Sequence, residues 1–208
     1  MALRAVVSKR QNRQLPANVE QLFDTHPESS PDIDRVRAAV RDGYTKPVLL
    51  IDTEIVREKA RRFKAAMPRV RPHYAVKANP DARVLKTLME EGAGFEIASI
   101  AELDILLALG VPAAEVFYSN PVKSRDYIAY AAAKGVEWYA IDSLEELHKA
   151  QAVKPDVKLY LRIDTPNIGS DWPLGGKFGA HAAEVRDMLA AAAKAKADLA
   201  GVAFHVGS

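Results

Sequence analysis

From about Lys46 onward, hydrophobic and polar positions fall into a regular alternation. Pro47-Val-Leu-Leu-Ile51 is a short continuous apolar run and predicts a buried strand. Asp52 or Thr53 stands where a helix N-cap belongs, and the helix that follows should run to about Met67, where Pro68 stops it. Further apolar runs begin at Pro72 (PHYAVKA), Gly94 (GFEIAS), Glu115 (EVFYSN), Val136 (VEWYAID) and Val157 (VKLYLRID), spaced 21 or 22 residues apart. A sixth, Ala200–Val206, starts 43 residues after Val157, a step that holds one extra loop and a longer Ala-rich helix. Between the runs lie helical patterns rich in Ala, Leu, Glu and Lys. Two carry the spacing of a capping box, Ser99 with Glu102 and Ser143 with Glu146.

Strands alternating with helices across short links imply a parallel sheet with right-handed crossovers. The runs are apolar at nearly every position, as expected of strands buried on both faces. A leucine-rich repeat would need Leu at fixed offsets and an Asn ladder, which the runs lack. A doubly wound nucleotide-binding sheet would carry a Gly-rich loop after its first strand, and the chain has Lys77-Ala-Asn-Pro80 there. The pattern favours an α/β fold of the (β/α)₈ barrel type with six of its eight strands present. Two more units would take on the order of 50 to 80 residues, so the chain reads as part of a longer one.

The first 45 residues differ from the rest. Arg4, Lys9, Arg10 and Arg13 precede the first acidic residue, Glu20, and Pro16, Pro27 and Pro31 interrupt any long helix. We read residues 1–45 as a loosely docked arm, with an organelle transit peptide as the alternative, and residues 46–208 as an incomplete barrel.

Composition narrows the function classes. The net charge is +2, which gives no strong field toward nucleic acid or an acidic membrane. No apolar run is long enough to cross a bilayer or to serve as a secretory signal. The 208 residues hold no cysteine, which excludes a disulfide framework, a thiolate metal site and a cysteine nucleophile within them. A reducing, cytoplasmic setting is the expectation.

Catalytic groups of such barrels project from the C-terminal strand ends. Those ends carry Lys77, Glu96 with Ser99, Asn120, Asp142, Arg162 with Asp164, and His205 with Ser208. Asp142 and Ser99 read as helix caps. Lys77 follows Tyr74-Ala-Val in an apolar run, where a desolvated amine would be a nucleophile suited to a Schiff base, or would snorkel into solvent. Arg162 sits in Leu159-Tyr-Leu-Arg-Ile163 and needs an anionic partner, which could be a ligand or Asp164 or Glu137. His205 is either a satisfied core histidine or a site residue, and Gly207-Ser208 could offer donors to a phosphate. The loop from Asp164 to Gly179 reads as a lid or as a plain surface insertion.

Taken together, the motifs Pro72–Asn79, Gly94–Glu102, Leu161–Asp164, Lys177-Phe-Gly179 and Phe204–Ser208 resemble the fold-type III pyridoxal-phosphate enzymes. The nearest likeness is to the ornithine decarboxylase branch of the ornithine/diaminopimelate/arginine decarboxylases, over roughly Lys46 to Ser208. The resemblance implies an alanine racemase-like barrel, cut short before a C-terminal β domain, that binds pyridoxal 5'-phosphate. It implies Lys77 as the residue that holds the cofactor, Glu96 as a carboxylate near that lysine and Arg162 as a group orienting the cofactor. His205 would stack on the ring and Ser208 would bind the phosphate; Lys177 falls in the family's mobile loop. The branch usually carries Phe-Asp where this chain has Phe95-Glu96, and the extra methylene would move the carboxylate by roughly one bond's reach.

The implied activity is decarboxylation of a basic amino acid, most readily ornithine to putrescine, by a full-length homodimer without nucleic-acid or membrane partners. Lysine/ornithine dual specificity, a diaminopimelate decarboxylase, a fold-type III racemase and a non-catalytic regulatory homologue are the alternatives.

Overall fold

The computed structural model describes residues 51–166, 168–172 and 176–207, together with Asp34, Arg37, Ala38, Arg41 and Leu49. All of the arm but Asp34, Arg37, Ala38 and Arg41, its boundary at residue 45, and most of the expected strand Pro47–Ile51 lie outside the described residues. Leu49 and Ile51 are described, are exposed and belong to no strand. The described chain divides into two compact units.

The smaller unit holds the residues up to Pro72 and the turn Glu90–Ala93. Its helix α1 (Thr53–Ala66) begins at Asp52, whose side chain accepts the Glu54 N–H, and ends before Pro68. Arg57, Arg61 and Lys64 recur at three- and four-residue spacing, so they share one helical face. All three engage Glu91. Arg61 forks onto both carboxylate oxygens at 3.0 and 2.9 Å, and Arg57 adds a bond of 3.0 Å. The two guanidinium groups hold the Glu91 carboxyl down at about 2.

The larger unit is a six-stranded parallel sheet in the order β1-β2-β3-β4-β5-β6. The strands are β1 (His73–Ala75), β2 (Gly94–Ile97), β3 (Val116–Tyr118), β4 (Trp138–Ile141), β5 (Lys158–Arg162) and β6 (Asp198–Ala203). They alternate with α2 (Ala82–Glu90), α3 (Ile100–Ala108), α4 (Arg125–Ala133), α5 (Leu144–Val153) and α6 (Ala182–Lys194). Each strand is added beside the one before it, and right-handed crossovers then put every helix on the same side of the sheet. A doubly wound sheet would reverse direction and use both sides, so this order selects the barrel type. Each of the six runs from Pro72 onward meets a strand; the first five strands are shorter than their runs, and β6 begins two residues before its run.

The two faces of the sheet are not alike, and here the expectation of strands buried on both faces needs correction. Pairing aligns Phe95 and Ile97 of β2, Tyr118 of β3, Tyr139 and Ile141 of β4, and Leu159 and Leu161 of β5 on one face, and all seven are buried to 2% exposure or less. Leu85, Leu103, Leu106, Ile128 and Leu147 of the helices are equally sealed. The opposite face carries His73, Glu96, Phe117, Trp138, Lys158, Tyr160 and Arg162, most of them half-buried. It is aromatic toward the strand starts: Phe117 stacks on Trp138 at 4.9 Å and meets His73 edge-on at 4.7 Å. Gly94 makes room for that imidazole, because a Cβ there would stand 2.5 Å from the His73 ring.

Candidate active site

At the C-terminal ends of the strands, a cavity of about 400 Å³ opens on the polar face. Lys77, Glu96, Arg162 and His205 all line it, brought together from β1, β2, β5 and β6 across 128 residues of sequence. Ser208 lies outside the described residues.

Their settings differ from expectation in several ways. Lys77 is not inside a strand: β1 ends at Ala75, and the next three residues, Val76–Ala78, form a 3₁₀ turn. Val76 is buried and anchors the turn, whereas Lys77 is exposed, so burial does not desolvate its amine. His205 is likewise no core-strand residue. It stands two residues past the end of β6 and is exposed, and its Nδ1 accepts the Gly207 N–H at 2.9 Å. That bond leaves the neutral ring's proton on Nε2.

Arg162 ends β5 half-buried. Neither structural partner considered for it is engaged: Glu137 pairs with Lys158 at 2.6 Å, and Asp164 faces His181 at 3.2 Å. Its guanidinium carbon stands 5.3 Å from the centre of the Phe178 ring instead. The loop from Asp164 delivers that ring. Asn167 and residues 173–175 of the expected lid lie outside the described residues. The loop's return is tied down, because Gly179 donates to Asp142 Oδ2 at 3.0 Å and Ala180 donates to the Arg162 carbonyl at 2.9 Å. Gly179 has φ +106°, and a Cβ there would meet the Asp164 nitrogen at 2.6 Å.

Asp142 is therefore a loop anchor and not the helix cap expected of it. Ser99 does cap α3, accepting the Glu102 N–H, while the Glu102 carboxylate takes the Ala98 N–H at 2.8 Å instead of the Ser99 N–H that a closed box requires. Ser143 caps α5, but Glu146 does not close that box. Its carboxylate is taken by Lys123, with an Nζ to Oε2 distance of 3.4 Å, and by Lys149.

Four residues beyond those singled out from sequence shape the cavity. Tyr160 Oη donates to Ser119 Oγ at 2.9 Å, and Ser119 Oγ donates to Glu96 Oε2 at 2.8 Å. Burial pushes the Tyr160 phenol up, which keeps it a donor. Phe178 forms part of the wall. Lys123 lies behind it, with its side chain wholly buried, and donates to the carbonyls of Asn120 and Pro121 at 2.9 Å and of Ala140 at 2.5 Å. Those carbonyls belong to residues that line the cavity, so Lys123 pins the ends of β3 and β4 to each other. In the sequence, Ser119 and Tyr160 read as members of apolar strands and Lys123 as a loop residue. The available signal was register: Ser119 lies two residues beyond Phe117, the partner of Glu96.

Comparison with known proteins gives the same direction. The pyridoxal-binding domain of pyridoxal-dependent decarboxylases matches residues 53–208. Ornithine decarboxylase of Schizosaccharomyces pombe is 40% identical over 174 residues, which cover 83% of this chain and 40% of that protein. Antizyme inhibitor 2 of Xenopus laevis is 41% identical over 155 residues, 74% of this chain and 34% of that one. The crystal structure of the lysine/ornithine decarboxylase of Vibrio vulnificus, complexed with putrescine, superposes with a TM-score of 0.75 at 32% identity, over 85% of this chain and 46% of that one. The chain thus spans less than half the length of the relatives it matches. Among the described residues no helix is long and apolar enough to cross a membrane.

Proposed function

The chain belongs to the pyridoxal-dependent decarboxylases through their pyridoxal-binding domain, and from that premise we propose that it serves the decarboxylation of a basic amino acid, with L-ornithine as substrate and putrescine as product. The observation that carries this reading is the convergence of Lys77, Glu96, Arg162 and His205 on one cavity. The donor set fits pyridoxal 5'-phosphate. An exposed primary amine suits the aldehyde, an imidazole suits a ring face, and a guanidinium and a carboxylate suit the ring's polar substituents. About 400 Å³ falls within the roughly 300–1,000 Å³ usual for small-molecule sites.

When bound, the group supplies an electron sink for the pair left behind as the α-carboxylate departs as carbon dioxide. Lys77 would hold it through Nζ, an amine that the 3₁₀ turn leaves exposed at the cavity and within reach of an incoming substrate. His205 would cover one face of the ring and so help to fix its plane. Arg162, braced by Phe178, orients the group from the end of β5. Glu96 would stand as a carboxylate lining the same cavity as Lys77, and Ser208 would bind the phosphate. Lys123 keeps the rim in shape by tying β3 to β4. The protein acts as a cytoplasmic homodimer in its full-length form.

The likeness to antizyme inhibitor 2 keeps a regulatory, non-catalytic homologue as the second reading. A binding module has no use for an amine, a guanidinium and an imidazole gathered at one cavity, and that favours the enzyme. The test is carbon dioxide release from carboxyl-labelled ornithine, lysine and arginine, with added pyridoxal phosphate and the protein at its native length. Release should be fastest from ornithine and fall to background in Lys77→Ala. If the cofactor-loaded protein releases none, the decarboxylase reading is withdrawn.

A further inference from the structure

Resting on that reading, we propose that Ser119 and Tyr160 are positioning residues that hold Glu96 in place, so that Glu96, Ser119 and Tyr160 work as one unit. The three come from neighbouring stretches of the polar face, at β2, just past β3, and on β5. The bonds run one way. Tyr160 has one proton and gives it to Ser119; Ser119 has one and gives it to Glu96 Oε2. The buried phenol keeps its proton, which fixes the direction of the chain from tyrosine to carboxylate. Among the described residues Glu96 Oε1 accepts no hydrogen bond, which leaves one carboxylate oxygen for the cavity. The Phe117 ring, 5.7 Å from that of Tyr160 and edge-on to it, holds the tyrosine against rotation.

This unit also accounts for the departure at position 96. An aspartate from the same backbone would stop one bond short of Ser119. A glutamate reaches it, and the hydroxyl chain then turns the longer side chain into a single orientation. The extra methylene is absorbed by a partner rather than displacing the carboxylate at random. Ser119 touches Glu96 and Tyr160 touches Ser119, so the effect proposed for both passes through that carboxylate.

The test is a double-variant cycle on the protein at its native length. Two readouts are taken: the pyridoxal 5'-phosphate dissociation constant from fluorescence titration, and the absorbance band of the bound chromophore. Ser119→Ala should weaken binding about ten-fold, since a bond to a charged group is lost, and Tyr160→Phe about three-fold. Both should displace the band in the direction that Glu96→Asp does. Glu96→Asp/Ser119→Ala should bind no more than about two-fold more weakly than Glu96→Asp alone, because the shortened carboxylate no longer reaches the serine. Ser119→Thr, which keeps the hydroxyl, should recover most of what Ser119→Ala loses. Additive effects in the cycle, with cofactor binding intact, would overturn the proposal and leave the cofactor reading standing. Wild-type protein that binds no pyridoxal phosphate would overturn both.

Discussion

Two lysines stand just past strand ends on the same rim, and they are opposites. Lys77 follows β1 on a 3₁₀ turn, exposed, and makes no ion pair or hydrogen bond among the described residues. Lys123 follows β3 with no exposed side-chain surface, three carbonyls around its three N–H donors and Glu146 beside it. Burial alone singles out Lys123, and burial drags its amine down to about 8, with Glu146 opposing. Yet Lys123 has no donor to spare and cannot reach a ligand without stripping the ends of β3 and β4. Lys77 has its whole amino group to offer. In this rim the available lysine is the uncommitted one, and the perturbed lysine is structural.

That contrast can be broken most easily at Lys123. Lys123→Ala empties the space of a wholly buried side chain and removes its bonds to three carbonyls, leaving Glu146 to Lys149, and should cost about 3–5 kcal/mol in urea unfolding. Lys123→Met fills the volume without the bonds and should cost less, about 1–3 kcal/mol. A loss under about 0.5 kcal/mol in Lys123→Ala would mean that the amine is wet and the contrast false.

The next effect is in pH. The folded amine titrates at about 8 and the unfolded one near 10.4, so between those values the unfolded chain binds the additional proton. Stability therefore rises with pH across that window, and the wild type should gain about 2 kcal/mol over Lys123→Met between pH 8 and pH 10. Reading the difference matters because burial also raises the phenols of Tyr118, Tyr139 and Tyr160, which favour the folded state less as pH climbs past 10. A flat or falling difference would contradict the buried-amine account.

The same contrast explains what the sequence could and could not reveal. Local rules located the strands, because apolar runs at a steady spacing depend only on neighbours in the chain. Lys77, Arg162 and His205 stood out as polar residues in such runs. Lys123, between Val122 and Ser124, looks like any solvated loop lysine; its burial is decided by Glu146, 23 residues on, and by Ala140 on the next strand. Glu146 in turn looked committed to the Ser143 box, and only the fold brings it a stronger partner. Asp142 looked like a cap, and its true partner, Gly179, is 37 residues away. Ser119 and Tyr160 were hidden because a strand in a barrel has one sealed face and one that lines the site, and a tyrosine or serine among apolar residues fits either. Long-range register, and not local pattern, assigns them.

The smallest expected effect is the sharpest check on Lys77. Without cofactor, Lys77→Ala should change unfolding stability by no more than about 0.5 kcal/mol, because an exposed side chain is truncated on a turn already anchored by Val76. Its cost appears only on adding pyridoxal phosphate. A ligand bound only by the folded state stabilises it by about 2.7 kcal/mol at one hundred times its dissociation constant. Wild-type protein should show that gain in its melting curve, and Lys77→Ala should lose most of it at the same ligand concentration. A variant already unstable without ligand would make Lys77 a second structural lysine. A variant that keeps the full gain would mean that the cofactor is held by something other than this amine. Silence without the ligand and failure with it is the behaviour required of a side chain that the fold leaves unpaired for a ligand to use.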